Sequence, residues 1–181
     1  MSQTIPVVQY PMALGDIDGA TNFATKEFVV ANTVTINYGD FVYLLNGTVT
    51  NASVNGARLI GMALGQGNQQ NPPPTGPVTG NATGTNTVLV CIDPHARYLL
   101  KSTTALTVTN NTNADIGQYF DITGTTGAQT VSLTSTTLGA FLLVDVPGTA
   151  TLPNTGISLP AGVTVGVFVL INSALAPYVA S

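Results

Sequence analysis

NYGDFVYLLNGTVTNASVNGARLIGMAL, residues 37–64, holds the pattern that decides the fold. Asn37-Tyr38-Gly39-Asp40 is a turn by composition, because Asn, Gly and Asp tolerate the dihedrals that turns need. Phe41-Val42-Tyr43-Leu44-Leu45 is a short strand of β-branched, aromatic and apolar residues. Asn46-Gly47 follows at once. This pair accepts positive φ at both places and is the strongest hairpin signal in the chain. Val49 then lies on the return strand, and Leu59-Ile60-Gly61-Met62-Ala63-Leu64 is the next one.

Outward from this segment the same style repeats. Strands are predicted at Phe28–Ala31, Thr87–Ile92, Ala96–Leu100, Gln118–Ile122, Gln129–Leu133, Ala140–Val146 and Val163–Ile171. No stretch has a helical period with caps. The expected fold is all-β, a compact β-barrel or β-sandwich of short antiparallel strands. Residues 1–26 read as an extended N-terminal arm, with Gly15 to Ala20 as a turn or loop, and residues 27–181 as one β domain. A long Pro/Gly-rich loop spans residues 65–85, where Pro72, Pro73, Pro74 and Pro77 exclude a central strand. A second loop covers residues 147–162.

Tyr38-Gly39-Asp40-Phe41-Val42-Tyr43-Leu44 is echoed by Ile116-Gly117-Gln118-Tyr119-Phe120-Asp121-Ile122. Two hairpin modules on one plan would explain this. So would the general use of Gly-polar-aromatic where β strands begin.

Composition narrows the function. Lys and Arg number 4 and Asp and Glu 8, so 7% of side chains are charged, against roughly 25% in an ordinary soluble domain. Thr (28 residues), Asn, Ser and Gly fill the polar positions. Such a chain keeps itself soluble with neutral polar groups, or hides surface in an assembly. It is also poor in the groups that active sites use. Lys26, Arg58, Arg97 and Lys101 are scattered, so direct nucleic-acid binding is not expected. The apolar stretch from Val163 to Ala180 is broken by Asn172, Ser173 and Pro177 and is not expected to span a membrane. Cys91 is the only cysteine, so no internal disulfide forms. Residues 1–6 lack the basic and apolar regions of a secretory signal, and synthesis in a cytoplasm is the expectation.

Few motifs carry chemistry. Cys91, Asp93 and His95 sit close together, and strand alternation would put them on one face. A thiol, a carboxylate and an imidazole suit a nucleophilic or metal site. Pro94 interrupts the strand, however, and Cys91 lies in an apolar run, so it reads as a small core residue. Asp16-Ile17-Asp18-Gly19, with Glu27 at the twelfth position, partly matches a calcium loop. Ala20 stands where a third ligand belongs, so the segment reads as a turn. Four Asn-x-Ser/Thr sites, at Asn46, Asn51, Asn81 and Asn110, match what an Asn- and Thr-rich chain holds by chance. No catalytic residue, metal or cofactor is expected.

Residues 37–64, with the later IGQYFDITG, TVSLTSTT and FLLVDV, resemble the small β domains of tailed-phage capsid decoration (cement) proteins. The likeness spans residues 27–146 and is one of pattern: a Gly-Asp-apolar strand leads through a short turn to an apolar-Gly-apolar-Ala strand. It implies a non-enzymatic virion protein, made in the host cytoplasm, that sits on the capsid exterior. Such a protein clamps neighbouring copies of the major capsid protein, often as a homo-trimer. In this chain Pro6, Val7, Val8, Tyr10, Pro11 and Met12 of the arm are the candidate capsid contacts, by strand addition. Tyr178 is a further candidate contact, while Phe168 and Ile171 read as core. The alternative is a fibre or adhesin domain that binds a cell-surface glycan through its loops. A remoter rival is an enzyme using Cys91 and His95.

Overall fold

The computed structural model describes residues 12–16, 24–52, 59–67, 76–104, 106, 115, 117–134, 139–145 and 165–170. Among them all regular structure is β, as expected, and the strands pair antiparallel. In chain order they are β1 (Met12–Asp16), β2 (Thr25–Val29), β3 (Thr35–Ile36), β4 (Phe41–Leu45), β5 (Thr48–Asn51), β6 (Leu59–Gln66), β7 (Val78–Thr79), β8 (Thr87–Cys91), β9 (Ala96–Lys101), β10 (Tyr119–Thr123), β11 (Thr130–Ser132), β12 (Phe141–Asp145) and β13 (Val165–Leu170). No helix of the described residues is long and apolar enough to cross a membrane.

One sheet has the order β2-β8-β6-β4-β5, and the other β1-β9-β13-β12-β10-β11. A two-stranded ribbon, β3-β7, completes the set. Apart from β1 and the ribbon, the two sheets are one plan used twice. In the first module, β2, β4, β5, β6 and β8 occupy the places that β9, β10, β11, β12 and β13 occupy in the second.

The registers agree residue by residue. Phe41 and Val42 pair with Met62 and Gly61, while Tyr119 and Phe120 pair with Leu142 and Phe141. Tyr43, Leu44 and Leu45 pair with Thr50, Val49 and Thr48, while Asp121, Ile122 and Thr123 pair with Ser132, Val131 and Thr130. The β6–β8 ladder shifts between Ala63 and Gly65, and the β12–β13 ladder shifts at the matching place, between Leu143 and Asp145. A β-bulge retained at one site in both modules is a built feature of the plan.

The turns agree too. The Gly39 amide donates to Ala63 (2.8 Å) and the Gly117 amide to Leu143 (2.8 Å). Both glycines have positive φ, 88° and 83°, which other residues adopt at a cost. Finally, Val30 bridges Val49 and Ser102 bridges Val131, both in parallel sense. These bridges bring the two ends of each five-strand run together, in the manner of a small barrel.

Two cores follow from the period-two alternation of these strands. Val42, Val49, Ile60, Ala63, Val88 and Val90 fill the first module, closed by Ile36 and Val78 of the ribbon. The other face of β4, β6 and β8 carries Phe41, Leu59, Met62 and Cys91, which join Tyr98, Leu100, Phe120, Phe141, Leu143 and Phe168 of the second module. Phe41 packs edge-on to Tyr98 and Phe141, with ring centroids 5.0 and 4.8 Å away. Such aromatic pairs contribute about 0.5–1.5 kcal/mol each beyond area burial. The modules therefore meet through one shared core.

Three local readings change. Met12–Asp16, placed in the arm and its loop, lie as an edge strand against β9, with Asp16 opposite Ala96. β2 begins at Thr25, three residues before the predicted strand. The span 65–85 is not all loop. β6 runs to Gln66, and Val78–Thr79 pairs with β3 across a Thr35–Thr79 hydroxyl contact of 2.8 Å. Residues 68–75, with Pro72 to Pro74, and residues 147–162 lie outside the described residues.

Candidate functional site

Among the described residues, buried polar side chains converge between the modules. β10 and β11 are joined by six residues, where the matching β4–β5 turn has two. The longer turn reaches the lead-in to β4. Asp40, 1% exposed, accepts the Gly127 amide (2.6 Å) and the Asn37 amide (2.8 Å). The Thr126 hydroxyl accepts from Asn37 Nδ2 (3.1 Å) and has the Asp40 carboxylate and the Thr35 carbonyl as acceptors for its one proton. Gln129, 4% exposed, spans the backbone of two strands. Its Oε1 accepts the Phe41 amide (2.6 Å), and its Nε2 donates to the carbonyls of Phe41 (3.2 Å) and Ala52 (2.7 Å). A buried carboxylate and a buried amide satisfied in this way specify one docking geometry. The arrangement is a latch. Its polar atoms are engaged with each other rather than presented to a ligand.

The sequence cluster at 91–95 does not form a site. β8 ends at Cys91, so alternation no longer aligns Asp93 and His95 with it. Asp93 instead organises a tight turn. Its carboxylate accepts the His95 amide (2.9 Å) and the Ala24 amide (3.2 Å), and its carbonyl accepts the Ala96 amide (3.3 Å). His95 lies 60% exposed, with Nδ1 3.9 Å from Asp93. The Cys91 thiol faces the shared core, 3.6 Å from the Tyr98 hydroxyl. Burial pushes its pKa up, despite the Tyr98 hydrogen bond that acts the other way. A nucleophilic thiol needs the opposite shift. The Tyr98 hydroxyl is likewise held well above its ordinary value by burial, with proximity to Cys91 adding to the effect.

Most of the partial calcium loop, residues 17–23, lies outside the described residues. Asp16 closes β1, Glu27 sits on β2 opposite Leu89, and Asp18 lies outside the described residues. Among the described residues no three metal-ligating side chains gather. Of the candidate capsid contacts, Met12 pairs with Leu99 at the start of β1. Pro6, Val7, Val8, Tyr10, Pro11 and Tyr178 lie outside the described residues, as does Ile171. Phe168 is core, fully buried.

The large apolar side chains exposed among the described residues are Leu44 (46%), Leu45 (48%), Tyr119 (50%) and Val144 (37%). They fall on the tip of the β4–β5 hairpin and on one face of β10 and β12. Comparison with protein-family models, with curated proteins and with solved structures gave no match for this chain.

Sequence reasoning missed Asp40, Thr126 and Gln129 as a unit, because Asp40 and Gly127 are 87 residues apart. A local signal did exist for Leu44 and Leu45. The unbroken run Val42-Tyr43-Leu44-Leu45 violates alternation just before a hairpin turn.

Proposed function

We propose that the chain is a non-enzymatic structural subunit of a virion. It binds the outside of a tailed-phage capsid and stabilises it by bridging neighbouring major capsid subunits. The observation that carries this reading is the charge content of 7%. Interface cores deplete Lys, Glu and Asp, so a surface this poor in charge suits burial against partners. The resemblance of residues 37–64 to decoration proteins supports the same reading, as do the exposed apolar side chains.

In this reading the chain acts as a homo-oligomer, with a trimer favoured. The segment with Pro6, Val7, Val8, Tyr10 and Pro11 reaches the capsid. β1, which begins at Met12, continues that segment along the edge of β9.

Co-sedimentation with expanded, DNA-free heads of the cognate phage tests this. The full chain is expected to pellet with heads, saturably. Removal of residues 1–11 keeps β1 and is expected to abolish pelleting. A full chain that stays in the supernatant overturns the reading, and a truncated chain that still pellets removes the arm from it. Binding to a surface glycan in place of heads would favour a fibre domain.

A further inference from the structure

Asn46 and Gly47 are the two residues that join β4 to β5, and the tip they form is open. Both are exposed, as are Leu44 and Leu45 beside them. Nothing lies within 4 Å of the point where a Gly47 side chain would begin. Among the described residues, no hydrogen bond engages the Asn46 carboxamide or the Gly47 amide. The turn is held from its base, where Thr48 Oγ1 donates to the Leu45 carbonyl (3.0 Å).

The other asparagines of the described residues are placed differently. Asn37 Nδ2 donates to Thr126 (3.1 Å), and Asn86 Nδ2 donates to the Thr79 carbonyl (2.6 Å). Asn81 both donates to Thr85 (2.8 Å) and accepts its amide (3.0 Å). Each of these, and Asn32 and Asn51 as well, precedes a residue with a side chain. Among the described residues, Asn46 alone joins an unengaged carboxamide to a following glycine. The distinction matters chemically. A backbone nitrogen reaches the carboxamide before it only where the chain can rotate and no side chain shields that nitrogen, and glycine supplies both conditions.

We propose that Asn46 is a site of spontaneous deamidation, which turns the neutral, apolar β4–β5 tip acidic as the protein ages. The Gly47 nitrogen attacks Cγ of Asn46. A C–N bond forms, the Gly47 amide gives up its proton, and the carboxamide nitrogen leaves as ammonia, which closes a five-membered succinimide. Solvent water then adds to one of the two ring carbonyls, that C–N bond breaks, and the Gly47 nitrogen regains a proton. Opening at Cγ leaves an aspartyl residue, and opening at the backbone carbonyl leaves an isoaspartyl. One water is consumed, one ammonia is released and nothing is oxidised.

Either product sets a carboxylate beside Leu44 and Leu45, 46% and 48% exposed, and adds one negative charge to a chain of formal charge −4. The isoaspartyl form also lengthens the turn by one backbone atom, against the Leu45–Thr48 and Leu44–Val49 pairs. This inference stands apart from the capsid reading.

Incubation of the folded full chain in warm, mildly alkaline buffer tests it, with peptide mapping by mass spectrometry at intervals. Conversion at Asn46 is expected to run roughly tenfold or more ahead of Asn37, Asn81 and Asn86. Asn55-Gly56, outside the described residues, is mapped separately so that its conversion is not credited to Asn46. A parallel sample in denaturant separates structure from sequence. Because the open tip offers no protection, Asn46 is expected to convert in the folded chain within about tenfold of its rate in the unfolded one. Asn46→Gly keeps a pair suited to the same turn and is expected to lose the part of the acidic shift on ion exchange that mapping assigns to Asn46. An Asn46 that keeps its amide in the folded chain while it converts in denaturant, or one that converts no faster than Asn37, Asn81 and Asn86, would overturn the proposal.

Discussion

The first module lines its interior with Val42, Gly61, Ala63 and Val90, while the second has Phe120, Phe141, Leu143 and Phe168 at the same four registers. The strand order, the bulge and the closing bridge are unchanged. Side-chain volume therefore does not set this plan. Hydrogen-bond register and the turns that fix it do, and each interior is then filled to suit. The exteriors differ in the other direction. The first module's outer face is covered by its neighbour, while Tyr119 and Val144 on the second stay open.

The sharpest way to break this comparison is to truncate matched core positions. Phe168→Ala is expected to cost about 3–5 kcal/mol, while Val90→Ala at the same register costs roughly 2. Chemical denaturation of both variants checks the ratio. Equal losses would mean that the two cores are not the units described. The Gly61–Phe141 pair differs in kind. A Cβ on Gly61 would collide with the Cys91 carbonyl, so Gly61→Ala is expected to lose roughly 2–3 kcal/mol, although its counterpart carries a whole phenyl ring.

The turns offer a smaller contrast. Asp40→Ala leaves the Gly127 and Asn37 amides without their acceptor and is expected to cost about 1–3 kcal/mol. Gln118, its counterpart, is exposed, so Gln118→Ala should stay within about 0.5 kcal/mol.

The smallest effect concerns pH. Cys91 and Tyr98 have pKa values raised above 9.0 and 10.0 in the folded chain. The folded state thus holds these protons longer than the unfolded state does. Their contribution is whole below pH 9.0 and is lost as pH rises through the raised values. Cys91→Val, which copies Val169 of the second module, should remove the thiol's part of that alkaline loss. Denaturation midpoints across the alkaline range measure it.

Much of the plan was legible because it is local. Asn46 and Gly47 take φ of 50° and 81°, the dihedrals that an Asn-Gly pair announces. Gly39 and Gly117 exposed the echo between 38–44 and 116–122 for the same reason. The rest of the repeat was hidden by unequal turns. Thr48-Val49-Thr50 matches Thr130-Val131-Ser132 in place and nearly in sequence, but the longer β10–β11 turn displaces it. β3 and β7 have two residues each, too few to show a period, and β7 follows a run of prolines.

The candidate site was less legible than the fold. Cys91, Asp93 and His95 are close in sequence, yet a turn at Pro94 separates their roles. The latch joins Asp40 and Gln129 only through tertiary packing. Which leucine of the Leu44–Leu45 pair would face solvent was equally undetermined, and in the structure both do.

The central claim is that this charge-poor surface is completed by a capsid. Calorimetry of expanded, DNA-free heads with and without saturating protein addresses it most directly. A rise in the temperature at which heads rupture, lost with the chain lacking residues 1–11, is the predicted result. Heads that rupture at the same temperature with the protein as without it would contradict the account.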